Sequence, residues 1–260
     1  MPARPFDAAR FEALRDARGL RLGAPLVALA ETGSTNDDAL AAARAGSAQG
    51  ALFVADLQSA GRGRRGHAWS SPPGENLTFS LLLRPHVSPE RAPLVALVAG
   101  LAVRAAAARR VPEPLTLKWP NDVLARDRKL AGILVESRLV GDRLEAIVVG
   151  IGINVHTRDM PAEIRTVATS LSLLGDPSPD REVLLADVLA ELEPRLAAFE
   201  GAGLGGLLPE LRAHDALRGE PVTVGDISGI GAGFDEDGAL LVRTGAGELH
   251  HVTSGSVQRG

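Results

Sequence analysis

Residues 61–69, GRGRRGHAW, place three glycines, three arginines, a histidine and a tryptophan within nine positions. Arginine grips carboxylates and phosphates through two parallel hydrogen bonds. Glycine lets the backbone approach a ligand closely. The stretch therefore suits an anionic ligand that must be closed off from water. Gly61, Gly63 and Gly66 also spell G-x-G-x-x-G, yet the segment HAWSSPPGEN that follows cannot open the helix a dinucleotide turn requires, because Pro72, Pro73 and Gly74 break it. A phosphate loop needs Lys and then Ser or Thr after its last glycine, and His67 and Ala68 stand there instead. From these residues alone, a ligand-closing cationic loop and a solvated basic surface loop fit equally.

Other segments carry polar groups with possible tasks. Ser34, Thr35 and Asn36 precede the alanine-rich DDALAAARAG, where hydroxyls, an amide and free backbone N–H groups either grip a polar head or simply cap a helix. KWPND at 118–122 sets Lys118 beside a Pro-Asn-Asp turn. KLAGILVE at 129–136 and GIGINV at 150–155 contain Lys129, Gly132, Gly150, Gly152 and Asn154. Those glycines either keep a surface bare for a ligand or mark bulges. His250 and His251 have no spaced partner and read as surface, so no metal cluster emerges.

Regular elements must hold these segments. Residues 6–18 read as a short amphipathic helix with Phe6, Phe11 and Leu14 on one face. Strands are expected at 25–31, 51–56 and 76–84, a long loop at 58–75 and a helix at 90–110. From 115 onward LTLKWPNDVLA, KLAGILVESRLV and RLEAIVVGIGINV read as strands, the last two as a hairpin about Gly141-Asp142. Helices return at about 180–199 and 204–217. Beyond Gly219 come short strands with Gly/Asp turns, read as a small β-barrel. The expected domains are 1–217 and 218–260. The expected fold is α+β, with a mixed, largely antiparallel sheet, helices on one side, and then the barrel.

Composition excludes several classes. The 260 residues are 45% hydrophobic, enough for a sizeable core. Cysteine is absent, which removes disulfides, thiolate metal sites and cysteine nucleophiles. A formal net charge of -4 argues against a broad nucleic-acid surface, and 3% aromatics with no tyrosine argue against base stacking. No secretory leader is visible, and LVALVAGLAV, followed by Arg104, reads as a buried helix too short to span a bilayer. A soluble cytoplasmic protein with no membrane partner is expected.

Together, Ser34-Thr35-Asn36, QSAGRGRRG at 58–66 with Trp69, KWPNDV, KLAGIL and GIGINV resemble, in order and spacing, the catalytic core of biotin protein ligases. The resemblance runs from about residue 28 to the end. It implies a two-step reaction: biotin and ATP give biotinyl-5′-adenylate and pyrophosphate, and a lysine of a biotin carboxyl carrier protein then takes the biotin and releases AMP. The same resemblance implies that Ser34, Thr35, Asn36 and Gln58 address the ureido ring. Gly61, Arg62, Gly63 and Arg64 match the biotin-contacting run, with Arg64 on the reacting carboxylate and phosphate and Trp69 closing over the intermediate. Lys129 matches the lysine on biotin's carboxyl and the phosphoryl oxygens, and Gly132, Gly150 and Gly152 would let the ligand lie on the sheet. Arg65, Lys118, Asn121 and Asp122 are implied on the nucleotide side with Mg²⁺, and Asn154 at adenine. His67 stands where the family commonly has arginine, which puts a phosphate role there in doubt. Lipoate ligases and octanoyltransferases share the fold but lack the GRGRRG-x-x-W loop, and a sensor that had lost activity would lack Lys129 or Arg64. With 33 residues before Ser34, a monofunctional ligase without operator binding is expected.

Overall fold

Strict alternation along the central strands sends two sets of apolar side chains to opposite faces of one sheet, and both faces are covered. The structure, a computed structural model, describes residues 4–260. Strands β1 (Leu26–Thr32), β2 (Leu52–Gln58), β3 (Leu77–Leu83), β4 (Leu115–Lys118), β5 (Asp122–Ala125), β6 (Arg128–Val140) and β7 (Arg143–Ile153) form the sheet, in the order β1-β2-β3-β7-β6-β5-β4. Only β1 and β2 run parallel, and every other neighbouring pair is antiparallel.

Helix α2 (Thr35–Arg44) covers one face, where Ala39 and Ala43 meet Phe53, Leu82, Ala146 and Val148. Helices α1 (Ala8–Ala17), α3 (Val95–Ala108) and α4 (Arg181–Ala202) share the other face's core with Leu52, Val54, Phe79, Leu81 and Val149. The expectation of helices on one side is thus corrected. Only short alanine side chains let α2 come down onto the second face, so its contact surface looks bland in the sequence. The apolar stretch Pro89–Ala108 has the length and composition to cross a bilayer, contrary to expectation. Yet 67% of its apolar window is buried in the protein, between the sheet and α4.

Helix α5 (Leu208–Ala213) is much shorter than the 204–217 expected. The backbone beyond it is captured by β4: Leu117 N donates to His214 O at 2.7 Å and Ala216 N donates to Leu117 O at 2.9 Å. A β-bridge to the sheet ends the helix. The chain then enters β8 (Pro221–Val224), β9 (Ile227–Phe234), β10 (Leu240–Arg243), β11 (Leu249–Val252) and β12 (Gln258–Arg259), ordered β11-β10-β9-β8-β12. Among the described residues no β11–β12 pairing joins the ends, so this is a five-stranded antiparallel sheet and not a closed barrel. Its core residues Val224, Phe234 and Val242 belong to the same apolar cluster as Leu117 and Trp119.

Candidate active site

The cationic segment is more ordered than a long loop. Gly63 N donates to His67 O at 2.7 Å and Trp69 N to Gly61 O at 2.9 Å, so residues 61–69 fold back as a miniature hairpin. Arg65 (φ 54°) and Gly66 (φ 77°) make its turn in the left-handed region. Gly61 is obligatory, because a Cβ there would fall inside 3.0 Å of Trp69 O. The hairpin therefore holds Arg64 and Arg65 at its tip and returns Trp69 toward the sheet.

Beneath it, Ser34, Thr35 and Asn36 are buried at the start of α2. Ser34 occupies the cap position but its side chain makes no capping bond, so a plain helix cap does not account for it. Gln58 Oε1 accepts from Thr35 N at 2.8 Å and lies 3.1 Å from Thr35 Oγ1. Ser80 Oγ, on β3, lies 2.5 Å from Asn36 Oδ1 and 2.7 Å from Thr35 Oγ1. Asn36 Nδ2 donates to Glu136 Oε2 at 2.6 Å. Burial of the Thr35, Asn36 and Ser80 dipoles is sustainable because each finds a partner.

The glycines serve this packing directly. Ser80 pairs with Gly150 and Gly132 with Gly152 in the ladder, all on the α2 face. A Cβ on Gly150 would fall on the Asn36 amide, one on Gly152 on the Trp69 ring, and one on Gly132 would lie 2.8 Å from Lys129 Nζ. The strands carry no register shift at these three positions, so they are not bulges. In this structure Asn36, Trp69 and Lys129 occupy the space they leave, and all three glycines line the cleft. Trp69 is half-buried here, with its Nε1 buried and unpartnered. Lys129 Nζ sits 5.7 Å from the ring centroid and 2.7 Å from Asp122 Oδ1. With Trp69 in this position the cleft keeps only about 40 Å³ free.

A second cleft of about 200 Å³ adjoins it, lined by Arg64, Arg65, His67, Lys118, Asn121, Asp122 and Lys129, together with Ser256 from the segment between β11 and β12. Lys129 and Asn121 line both. Burial holds the Lys118 ammonium below the ordinary lysine range, with Asp122 opposing and Arg259 and Lys129 adding to the effect. Burial, and then Arg65, likewise depress Arg64. Asn121 is pinned to β6: its Nδ2 donates to Ile133 O at 2.7 Å and its carbonyl accepts from Ile133 N at 2.9 Å. Among the described residues no group of three or more His, Asp or Glu side chains could hold a metal ion. Asp122 is the single carboxylate in the cationic lining.

Asn154 stands apart. It is buried, and its Nδ2 donates to Thr169 O at 2.9 Å and Lys129 O at 3.4 Å, so it lines neither cleft. Three residues without an assigned role from the sequence belong to the site: Asp37, Ser80 and Glu136. Arg62 forks onto Asp37, at 2.6 and 2.7 Å, and reaches Glu136 at 3.3 Å. The one signal for Asp37 was its adjacency to Asn36. Ser80 and Glu136 read as ordinary strand positions.

Residues 33–154 match the model of the biotin/lipoate A/B protein ligase family, and 218–260 match the biotin protein ligase C-terminal domain. The biotin–[acetyl-CoA-carboxylase] ligase of Mycobacterium tuberculosis is 37% identical over 88% of this chain and 86% of that protein. The enzyme of the same name from Paracoccus denitrificans is 36% identical over 84% and 94%. A biotin protein ligase from Aquifex aeolicus, solved with biotin and ATP, superposes with a TM-score of 0.79 at 34% identity, covering 90% of this chain and 99% of that one. By its two family matches, its relatives and its architecture, this chain belongs to the biotin protein ligases.

Proposed function

We propose that the protein is an ATP-dependent biotin protein ligase that forms biotinyl-5′-adenylate with release of pyrophosphate. It then passes biotin to a lysine of a biotin carboxyl carrier protein, releasing AMP. The observation that carries this reading is the junction of the two clefts at Lys129 and Asn121. Adenylation requires a carboxylate oxygen to attack an α-phosphorus, so an acyl site must open into a triphosphate site at one fixed cation. A polar cleft under α2 meeting a cationic cleft at Lys129 has that form.

In this reading Ser34, Thr35, Asn36 and Gln58 hold the ureido head, with Gly150 leaving room for Asn36 and Gly152 for the Trp69 ring. Gly61, Arg62 and Gly63 bring the hairpin strand alongside. Gly132 leaves room for the Lys129 stem. Lys129 and Arg64 offset the approach of two anions, a repulsion worth several kcal/mol in a water-poor site. Arg65 and Lys118 bind the departing pyrophosphate, and the His67 imidazole beside them is a weaker phosphate partner than an arginine would be. Asn154 has its amide N–H groups engaged and keeps Oδ1 for adenine. Trp69 must rise to admit biotin, since the free volume beneath it is far below the roughly 300 Å³ of ordinary ligand pockets. Mg²⁺ enters with ATP, held by phosphates and water, with Asp122 as its protein-side carboxylate. We further propose two domains, 1–217 and 218–260, and a soluble cytoplasmic enzyme.

The test is biotin-dependent pyrophosphate release with ATP and Mg²⁺, with lipoate and octanoate in parallel and carrier domain added in a second stage. Release that requires biotin and is lost in Lys129→Ala supports the reading. Release driven by lipoate or octanoate instead would reassign the acyl specificity.

A further inference from the structure

The hairpin's two strands are held differently. Among the described residues, its tip, Arg64–Gly66, is tied only by its own turn and a 3.4 Å contact from Arg64 to Asn121. Its first strand is fastened to the body by one side chain, Arg62, whose guanidinium lies in a forked pair with Asp37 and touches Glu136. Asp37 lies in the first turn of α2, beside the recognition residue Asn36. Its carboxyl is held below the usual carboxylate range, chiefly by the hydrogen bond from Arg62. Glu136, on β6, accepts from both Arg62 and Asn36 Nδ2 through the same Oε2 atom. One carboxylate oxygen thus registers both the position of the loop and the orientation of the head-group amide.

Building on the proposed function, we infer that Asp37 and Glu136 form a latch: they are positioning residues that hold the Arg62 strand down and keep the adenylate enclosed until the carrier lysine arrives. The chemistry at stake is specific. If the hairpin lifts early, water attacks the acyl carbon of biotinyl-adenylate, the acyl–oxygen bond to phosphate breaks, and biotin and AMP leave without transfer. Glu136 adds a coupling, since an Asn36 amide engaged by Glu136 is set for the ring at the same time as Arg62 is drawn in. An exposed ion-pair network is modest in strength, which suits a latch that must open each turnover.

The experiment measures pyrophosphate released per biotin transferred, with a saturating purified biotin carboxyl carrier domain. The unmodified protein is expected near one-to-one. Asp37→Asn and Glu136→Gln are expected to raise the ratio roughly twofold to tenfold, the scale of an exposed pair network. Asp37→Glu, which keeps the carboxylate, stays near the unmodified value. Asp38→Asn serves as the helix-terminus control, because Asp38 bonds Thr32 and not the hairpin. The Asp37 side chain is 57% exposed, so its substitution leaves the core intact. An unchanged ratio in both latch variants, or an equal rise in Asp38→Asn, overturns the latch. Absence of biotin-dependent pyrophosphate release from the unmodified protein would instead overturn the function on which the latch rests.

Discussion

The ring of Trp69 occupies the place where Gly152 would carry a Cβ: Cε2, Cζ2 and Nε1 of the indole would all lie inside 3.0 Å of that atom. A residue of the cationic hairpin and a residue near the end of β7 are therefore complementary by subtraction. A methyl group on the strand cannot coexist with the closed ring. Because the indole belongs to a loop and not to the core, it yields before the sheet does. Gly152→Ala is expected to fold with a near-normal melting temperature, while biotin-dependent kcat/KM falls at least about tenfold through the lost closed state. Trp119 is fully enclosed, and the chain has only two tryptophans, so the indole emission of the variant will shift red by Trp69 alone. Unchanged emission with unchanged kinetics would show that the ring does not close the site.

Lys129 sits at the meeting of both clefts with Asp122 2.7 Å away. Its charge is held in place before any substrate binds, so little reorganisation is needed at the moment of reaction. Lys129→Ala should lower the adenylation rate by about 10²–10³, the usual cost of removing one preorganised cation at developing charge. Lys129→Arg should recover only part, because a planar fork cannot occupy the narrow space over Gly132. Single-turnover pyrophosphate release, with protein in excess of biotin, checks both.

The link between the two sheets makes a stability prediction. Trp119 Nε1 donates to Gly238 O at 3.0 Å, and Gly238 turns with φ 73° between Asp235 and β10. A Cβ there would lie 2.6 Å from Leu94 and 2.9 Å from Leu204. Left-handed strain and overpacking add, so Gly238→Ala should cost roughly 2–4 kcal/mol. That corresponds to a melting temperature lower by about 5–12 °C for a chain of this size. Thermal unfolding followed by circular dichroism gives the answer, and a loss below about 1 °C would mean that the turn relaxes freely.

These relationships differ in how openly the sequence displays them. The β6–β7 hairpin was plain, because apolar alternation on both sides of Gly141-Asp142 fixes register and turn together. The cationic hairpin, the buried Ser34-Thr35-Asn36 and the three strand glycines were legible as segments, since their residue types are unusual for where they stand. What the glycines make room for was not, because the occupants Asn36 and Trp69 come from elements more than 80 residues away. Asp37, Ser80 and Glu136 stayed hidden for the same reason: the Asn36–Glu136 bond spans 100 residues, and each partner alone fits an ordinary helix turn or strand. Likewise, nothing near residue 214 announces that β4 will capture the backbone and end α5 early. Local propensity gives way there to a tertiary hydrogen bond.

Asp215 lies at that captured backbone and makes the last prediction. Its Oδ1 accepts from Leu217 N at 2.8 Å, while its Oδ2 is buried without a partner. Burial pushes its carboxyl from 3.8 up to about 6, against the opposing pull of the Leu217 N–H and Arg218. A carboxyl whose folded value is raised favours the folded state only while protonated. Its contribution is intact below about pH 4, is lost as the pH climbs toward 6, and is a constant penalty above that. Asp215→Asn keeps the acceptor for Leu217 and carries no charge to desolvate. The variant should therefore melt higher than the unmodified protein at pH 7–8, by up to roughly 3 kcal/mol in stability. The gap should close as the pH is lowered from 6 to 4. Paired urea titrations across that range isolate this group, because all other carboxylates cancel between the two proteins. A gap that instead widens toward acid would mean that Asp215 is ionised and stabilising in the folded protein.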